Sequence, residues 1–360
     1  DAITFAFCPF FQENSMHLRA LPLAAIFLAA SIMFAADAQP YKLVKTLKVG
    51  GAGGWDYVYA DANARRLYIP RGGRGAPGRI SVYDLDTLKP VGEIPDANSV
   101  HGVAIDPKSN HGFASCKPLI MFDTKTLATI KTIDVQGNPD AIFFEPLTEH
   151  IFVLSHRAPN ATVLNATDGS IVGTIDLGGS PEQAVSDGAG HVYIDIEDGD
   201  KIAVVDANTL KVTTHYELAG KGGGPAGLAM NAKNHILFAF CHDPATCVVL
   251  NADDGKIITT LPIGHGVDAA EFNPNTSEAF SSQGDGTLSV IKEKSPTEFS
   301  VEQTVQTKQG ARTSTLDAKT NQIILATAEF APATQPAPQG DRPQRPRPLP
   351  DSFTILVVGK

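Results

Sequence analysis

The chain has 360 residues, of which 29 are Lys or Arg and 39 are Asp or Glu, so its formal net charge is −10 at pH 7. An acidic chain lacks the excess of basic groups that neutralises phosphates, and only 7% of its residues are aromatic, so we expect no nucleic-acid partner. The length is too great for a minimal domain and suits one large repeat domain.

Residues 16–38 have the organisation of a secretory signal peptide. An N-terminal basic part precedes an apolar stretch over 21–34, and a small-x-small sequence predicts cleavage near Ala38-Gln39. The apolar stretch is shorter than the roughly 20 residues that span a bilayer, so we expect a periplasmic or secreted protein with no membrane span in the mature chain. Residues 1–15 contain no Met and are interpreted as upstream read-through.

From residue 41 onwards the sequence repeats one short phrase seven times. The phrase is a small residue or Pro, a polar residue, an apolar run and then a turn residue, and 100–107, 139–146 and 267–274 are clear copies. The turn residues are Asp61, Asp106, Glu145, Asp187, Asn231, Asn273 and Asp317. A period of roughly 40–45 residues built from short apolar strands is typical of a β-propeller blade.

Each repeat is expected to contain four strands. In the unit 178–218 the strands are predicted at 183–186, 191–196, 202–206 and 212–218, and clusters of Asp, Asn and Gly separate them. The final unit lacks a fourth strand, whereas residues 41–49 form an unassigned strand before the first unit. Pairing that strand with the C-terminal blade removes an exposed edge. We therefore predict an all-β fold, a single seven-bladed β-propeller of four-stranded blades over 39–360, closed by its N-terminal strand.

The segment 330–350 interrupts the last unit. It is rich in Pro and carries Arg342, Arg345 and Arg347. Such a composition predicts an extended, polyproline-like loop. Its role stays open between a solvated insertion and a docking segment or flap.

Two cysteines, Cys241 and Cys247, flank a short predicted hairpin loop. An oxidising compartment would permit a disulfide between them, and either this disulfide or two free thiols are favoured over the alternative, a metal or redox cluster with His242. Cys116 is interpreted as a small buried residue.

Superposition of the repeats predicts two rings of side chains on one face of the propeller. The first ring lies at the entry to each innermost strand and comprises Asp56, His101, Asp140, Glu182, Ala226, Asp268 and Arg312. The second ring lies at the ends of the next strands and comprises Arg71, Cys116, His156, Glu197, His242, Gln283 and Glu329. Because both connections emerge on the same face of a four-stranded blade, the two rings should surround one mouth of the central channel.

Carboxylates and imidazoles at one mouth suit either a divalent cation or acid–base chemistry. The residues predicted to bind a ligand are Trp55, Asp56, His101, His156, Asp140, Glu182, Glu197, His242, Asp268 and Arg312. Those proposed as metal ligands are Asp140, Glu182, Asp268 and His101. The alternative is that these groups line a water-filled channel without binding anything. Trp55 would stack on a ligand or wedge between blades.

The repeats resemble the YncE-like, YVTN-type propellers of secreted bacterial proteins. The resemblance rests on phrases such as Ile202-Ala-Val-Val-Asp206-Ala-Asn-Thr-Leu210 and Gly137-Asn-Pro139-Asp140-Ala and extends over 41–360. It implies a periplasmic seven-bladed propeller, similar in architecture to the N-terminal domain of nitrous oxide reductase, the amine dehydrogenase heavy chain and seven-bladed lactonases. No motif matches the copper or quinone ligands of those enzymes.

Two functional hypotheses follow. The chain contains no P-loop, no His-Glu-x-x-His, no Gly-x-Ser-x-Gly and no Cys-x-x-Cys-His sequence, so no catalytic residue is assigned. The first hypothesis is a scaffold that binds a small molecule, a peptide or a periplasmic protein at the channel mouth. The second is a metal-assisted hydrolase or lactonase-like enzyme that uses the same face. We expect a monomer, and a divalent metal ion is the one cofactor that the pattern suggests.

Overall fold

The computed structural model describes residues 39–331, except 74 and 159, and residues 348–360. The residues from Gln39 to Lys360 form one compact unit. The predicted read-through over 1–15, the signal peptide over 16–38 and most of the Pro-rich loop lie outside the described residues. Within the part of the chain that is described, no helix is long and apolar enough to cross a membrane.

The described residues form seven sheets, which we number as blades in chain order. The first strand, β1 (Lys42–Lys48), precedes blade 1, which contains β2 (Gly54–Trp55), β3 (Tyr59–Asp61), β4 (Arg66–Gly73), β5 (Ala76–Asp84) and β6 (Pro90–Ile94). Blade 2 contains β7 (Val103–Asp106), β8 (His111–Ala114), β9 (Leu119–Asp123) and β10 (Thr129–Ile133). Blade 3 contains β11 (Pro139–Glu145), β12 (His150–Ser155), β13 (Asn160–Asn165) and β14 (Ile171–Asp176).

Blades 4 to 7 continue the same arrangement, with one short 3₁₀ turn at Glu197–Gly199. Blade 4 contains β15 (Pro181–Ser186), β16 (His191–Ile196), β17 (Lys201–Asp206) and β18 (Lys211–Glu217), and blade 5 contains β19 (Pro225–Asn231), β20 (Ile236–Cys241), β21 (Thr246–Asn251) and β22 (Ile257–Pro262). Blade 6 contains β23 (Val267–Asn273), β24 (Glu278–Gln283), β25 (Thr287–Ser295) and β26 (Glu298–Gln306). Blade 7 contains β27 (Thr313–Asp317), β28 (Gln322–Thr327) and β29 (Thr354–Gly359).

Pairing within the sheets confirms the predicted all-β, seven-bladed propeller. In blades 2 to 6 four strands pair antiparallel in chain order, and in blade 1 the inner strand is interrupted, so that β2 and β3 both pair with β4. Blade 7 has the order β1-β29-β28-β27, with Lys42 opposite Gly359 and Lys48 opposite Thr354. The predicted closure by the N-terminal strand is therefore also confirmed.

The hydrophobic core is divided among the interfaces between blades. Seven apolar clusters are found in the described residues, one for each pair of neighbouring blades. Side chains alternate between the two faces of a strand, so a blade buried on both faces needs the continuous Val- and Ile-rich runs seen in the sequence. This packing fixes the inner strands, and with them the residues that begin each inner strand.

Of the two states favoured for Cys241 and Cys247, a disulfide and two free thiols, the structure has the second, and both thiols are fully buried. Cys241 pairs with Thr246, and Cys247 pairs with Phe240 on the neighbouring strand. Consecutive residues point to opposite faces, so the two sulfurs lie in different apolar clusters, at the blade 4–5 and blade 5–6 interfaces. The free-thiol alternative holds. Cys116 is likewise free and buried, as expected.

Burial of these thiols predicts that they do not react with Ellman's reagent in the folded protein. In a variant of the full chain with Cys8→Ser, we expect no thiol to react before unfolding and three to react in concentrated guanidinium without reductant. Burial also raises the pKa of the Cys116 thiol to about 12, which removes the reactive thiolate. A count of one thiol in the unfolded, unreduced sample would contradict the free state of Cys241 and Cys247.

Candidate functional site

The entries to the inner strands meet at one end of the central channel, which we call the channel mouth. Equivalent positions of a closed ring lie around its axis, so residues that occupy the same place in successive blades become neighbours. The residues of the first predicted ring that contact one another here are Asp56, His101, Asp140, Asp268 and Arg312, from blades 1, 2, 3, 6 and 7. Glu182 of blade 4 contacts His156 and Tyr57 instead.

Blades 1 to 3 together form a first cluster, Asp56–His101–Asp140. Nδ1 of His101 lies 2.8 Å from Oδ2 of Asp56 and 3.4 Å from Oδ1 of Asp140. Burial alone would lower the pKa of His101, but the hydrogen bond with Asp56 and the charge of Asp140 raise it above its ordinary value. Burial and the carboxylates of Asp56 and Glu182 raise the pKa of Asp140 to about 6, although His101 opposes this effect.

Blades 3 and 4 form a second cluster, His156–Glu182–Glu197. Nδ1 of His156 lies 3.0 Å from Oε1 of Glu182, and Nε2 lies 3.8 Å from Oε2 of Glu197. The nearby carboxylate of Glu182 raises the pKa of His156 to about 9, so this imidazole is a cation at neutral pH. Nδ1 of His156 is buried, and despite its short distance to Glu182 it has no partner with hydrogen-bond geometry.

Arg312 closes the ring between blades 6 and 1. Its Nη1 forms an ion pair with Oδ2 of Asp268, and its Nη2 lies 3.9 Å from Oδ1 of Asp56. Burial would lower the pKa of Arg312, but Asp268 and Asp56 raise it, so the guanidinium stays charged. Asp268, predicted as a metal ligand, thus faces a cation rather than one of the two clusters.

Two hollows open at the mouth. The first, of about 260 Å³, is lined by Trp55, His242, Asp268, Arg312 and Phe330, together with several glycines. Gly310 is one of these glycines, and a Cβ at this position would lie 2.4 Å from the Phe330 ring. The close packing of Phe330 against the backbone of residue 310 therefore requires glycine.

Trp55 belongs to both the hollow and the core. Its ring packs on Phe353 and Phe330 of the last repeat, with centroids 5.2 and 6.5 Å apart. The same side chain also lines the first hollow. The two roles considered for Trp55 are therefore compatible in geometry.

The second hollow, of about 340 Å³, lies over blades 2 and 3. Its charged and titratable lining residues are His101, Lys117, Asp140, His156 and Arg157. Members of both clusters therefore open onto one space. The Nζ of Lys117 donates to the carbonyl of Gly137 at its edge.

Two side chains that the sequence reasoning missed cross the channel below the mouth. The hydroxyl of Tyr57, in blade 1, donates to Oε2 of Glu182, in blade 4, at 3.0 Å. Gln183 reaches from blade 4 to blade 6, where its Nε2 donates to the carbonyl of Ala270 and its Oε1 accepts from the Ala270 amide. Tyr57 and Gln183 thus form the floor of the channel mouth. In the sequence, only their positions directly after Asp56 and Glu182 of the first ring indicated that they lie near the site.

The second predicted ring is corrected in part. His156, Glu197 and His242 lie at the mouth, but Arg71, Cys116 and Gln283 are buried beneath it. Arg71 lies 3.7 Å from the Phe353 ring centroid, and its Nη2 donates to backbone carbonyls of residues 50–53. Desolvation lowers the pKa of Arg71 to about 10. Strand-end positions alternate in direction, so a one-residue difference decides between the mouth and the core.

The clusters regroup the proposed metal ligands. One ligand atom from each of Asp56, His101 and Asp140, or from each of His156, Glu182 and Glu197, lies within 4.8 Å of the other two. Histidine nitrogen with carboxylate oxygen suits Zn²⁺ or Mn²⁺ better than Ca²⁺, which prefers oxygen alone. The donor sets therefore fit a transition-type divalent ion.

No protein-family model matches this chain, and no curated protein matches it. The fold is therefore assigned from the order and pairing of the strands. The chain is a seven-bladed β-propeller. Since many unrelated functions share this fold, any functional argument depends on the mouth residues.

Proposed function

We propose that this chain is an exported, YncE-like propeller of the periplasm that binds a positively charged peptide or protein segment at the channel mouth. The support is the set of charged groups that the blades bring together. Five carboxylates, those of Asp56, Asp140, Glu182, Glu197 and Asp268, face one guanidinium and two imidazoles. Even with both imidazoles protonated, these contacting groups keep an excess of two negative charges, which favours a cationic ligand over an anionic one. Lys117 and Arg157 line the second hollow and reduce this excess there, so the first hollow and the ring between the hollows attract the cation most strongly.

The form of the mouth supports this choice of ligand. The hollows of about 260 and 340 Å³ each accept a side chain, and between them the carboxylates are only partly exposed. The side chains of Asp140 and Glu182 are 21% and 18% exposed. Charges that retain little water contact are screened less by salt than exposed ones, so they contribute more to binding.

Binding of a short oligolysine peptide tests the proposal. We expect Asp140→Asn and Glu182→Gln each to weaken binding roughly three- to tenfold, because each removes one partly buried charge. Asp253→Asn is the matched control, since it removes the carboxylate from an exposed His–Asp pair in the turn at Asn251–Gly255, where strands end away from the mouth. Isothermal titration calorimetry at two salt concentrations measures the effect. Equal affinity in all four proteins would contradict the proposal.

A metal-assisted hydrolase or lactonase-like enzyme is the second candidate, and the His156 geometry favours it. The buried Nδ1 of His156 has no hydrogen-bond partner, and ligand atoms of His156, Glu182 and Glu197 lie within 4.8 Å of one another, close enough to share a metal ion. A bound divalent ion would polarise an ester carbonyl or activate water. Asp140, whose pKa is about 6, can hold or release a proton near neutral pH.

Metal content separates the two candidates. If the enzyme proposal is right, wild-type protein equilibrated with Zn²⁺ or Mn²⁺ and then desalted should retain at least one ion per chain. His156→Ala should lose it, and a panel of lactones and esters should be hydrolysed only by the loaded wild type. Mass spectrometry of the metal that finds none in the wild type, together with no hydrolysis, would leave the binding scaffold as the function.

A further inference from the structure

A larger cavity occupies the channel on the far side of Tyr57 and Gln183, and we call it the lower chamber. Its volume is about 600 Å³, within the range of roughly 300–1,000 Å³ that is common for small-molecule sites. Inner-strand residues of all seven blades line it. None of the charged residues of the mouth does so, because the floor lies between the two spaces.

Most of the side chains that line the lower chamber are apolar, and polar groups of the inner strands lie between them. The apolar side chains that line it while remaining partly exposed include Tyr59, Phe143, Phe144, Met230, Phe272 and Leu316. Phe143 stacks on Phe152 and Phe272 stacks on Phe238, with centroids 5.2 and 5.7 Å apart. These rings are held in place by the blades, so the apolar surface is preformed.

Two carboxyl groups also line this space, that of Glu271 on β23 and that of Asp61. The backbone of Glu271 pairs with β24, but its carboxyl group forms no hydrogen bond or ion pair with any residue of the described chain. The other titratable groups that line the chamber are Tyr57, Tyr59 and Asp61, and Asp61 accepts hydrogen bonds from the amides of its own turn. No cation of the described residues lines the chamber.

An ionisable group is costly in such a place. Burial raises the pKa of Glu271 to about 8, so without a ligand its carboxyl group is mostly neutral at neutral pH. A neighbouring cation would favour the carboxylate. An aromatic wall adds attraction for an ammonium group, since the ring faces are negative.

We propose that the lower chamber binds an apolar amine, with its ammonium group at Glu271 and its hydrocarbon part against the aromatic and aliphatic walls. The site is separate from the channel mouth and does not depend on the function proposed there. The proton balance is defined: a neutral Glu271 carboxyl group meets R–NH₃⁺, the carboxylate–ammonium pair forms, and the carboxyl proton passes to the solvent. Binding of a neutral analogue releases none.

Phenethylamine and phenethyl alcohol are matched probes, because they differ mainly in the charged group. We expect the full chain to bind the amine roughly tenfold more tightly than the alcohol at about pH 8, with a smaller preference at about pH 7, where the proton must first leave. Calorimetry in two buffers of different ionisation enthalpy should show proton release with the amine alone.

Two variants locate the probe. Glu271→Gln should abolish both the amine preference and the proton release while retaining alcohol binding, and Glu298→Gln, on the exposed outer strand of the same blade, should change neither. Leu316→Trp, which fills the chamber, should weaken both probes. An amine preference that survives Glu271→Gln, or that is lost in Asp140→Asn instead, would overturn the proposal, as would the absence of saturable binding of either probe.

Discussion

Replacement of Tyr41 by Ala is expected to lower the free energy of unfolding by about 3–5 kcal/mol, the usual cost of removing a large buried side chain. Tyr41 precedes β1 and is 4% exposed. Its ring packs edge-on against Phe280 of blade 6 at 5.2 Å, and its hydroxyl donates to the buried carboxylate of Glu278 at 2.6 Å. The residue thus joins the closing strand to the preceding blade.

Urea unfolding measures the effect, and two variants separate its causes. Tyr41→Phe retains the ring and removes only the hydrogen bond to a charged group, so we expect a loss of about 1.5–3 kcal/mol. Val44→Ala, at a side chain on β1 that is 42% exposed, should change the free energy by less than about 0.5 kcal/mol. If Tyr41→Ala unfolds at the same urea concentration as Val44→Ala, closure by this strand does not limit the stability of the ring.

The stability of the wild-type chain should contain a term from Glu271 that decreases as the pH rises. The folded pKa of about 8 lies above the ordinary value of 4.5, so between these values the folded state binds more protons than the unfolded state. The contribution is complete below about pH 4.5 and is lost progressively up to about pH 8. At 1.36 kcal/mol for each tenfold change in proton affinity, the upper limit of this loss is about 5 kcal/mol.

Glu271→Gln removes this titration, because an amide of nearly the same shape stays neutral. The variant should match the wild type at about pH 4.5 and be more stable than it at about pH 9. The difference between the two proteins isolates this group from all other titrations, and Glu298→Gln should show no such difference. A constant difference across this range would mean that the Glu271 carboxylate is already well solvated in the folded chain.

The fold was predictable because each of the seven blades requires the same sequence pattern, which therefore recurs seven times. Buried strands need continuous apolar runs, and Asp, Asn and Gly mark the turns between them. The strand at 41–49 had no partner in its own repeat and the last repeat lacked one, so their pairing followed from counting. The sequence left a disulfide and free thiols open for Cys241 and Cys247, because proximity along a hairpin does not determine the face of the sheet. Only the register, with Cys241 opposite Thr246, decides that.

The mouth was predictable to the extent that it obeys the repeat. Asp56, His101 and Asp140 hold equivalent positions, and the ring brings them together. The reach of Tyr57 and Gln183 across the axis depends on the channel radius, which no single repeat encodes. The division of the channel into a charged mouth and an apolar lower chamber therefore needed the structure.

The sheet of blade 7 combines the first strand of the propeller with its last three, whereas each of the other six sheets is formed by consecutive strands. As the polypeptide is synthesised, β1 emerges first and cannot find its partner until residues 354–359 have followed. Blade 7 keeps an unpaired edge until then. Ring closure therefore cannot occur before β29 has been synthesised, and until then the ring remains open.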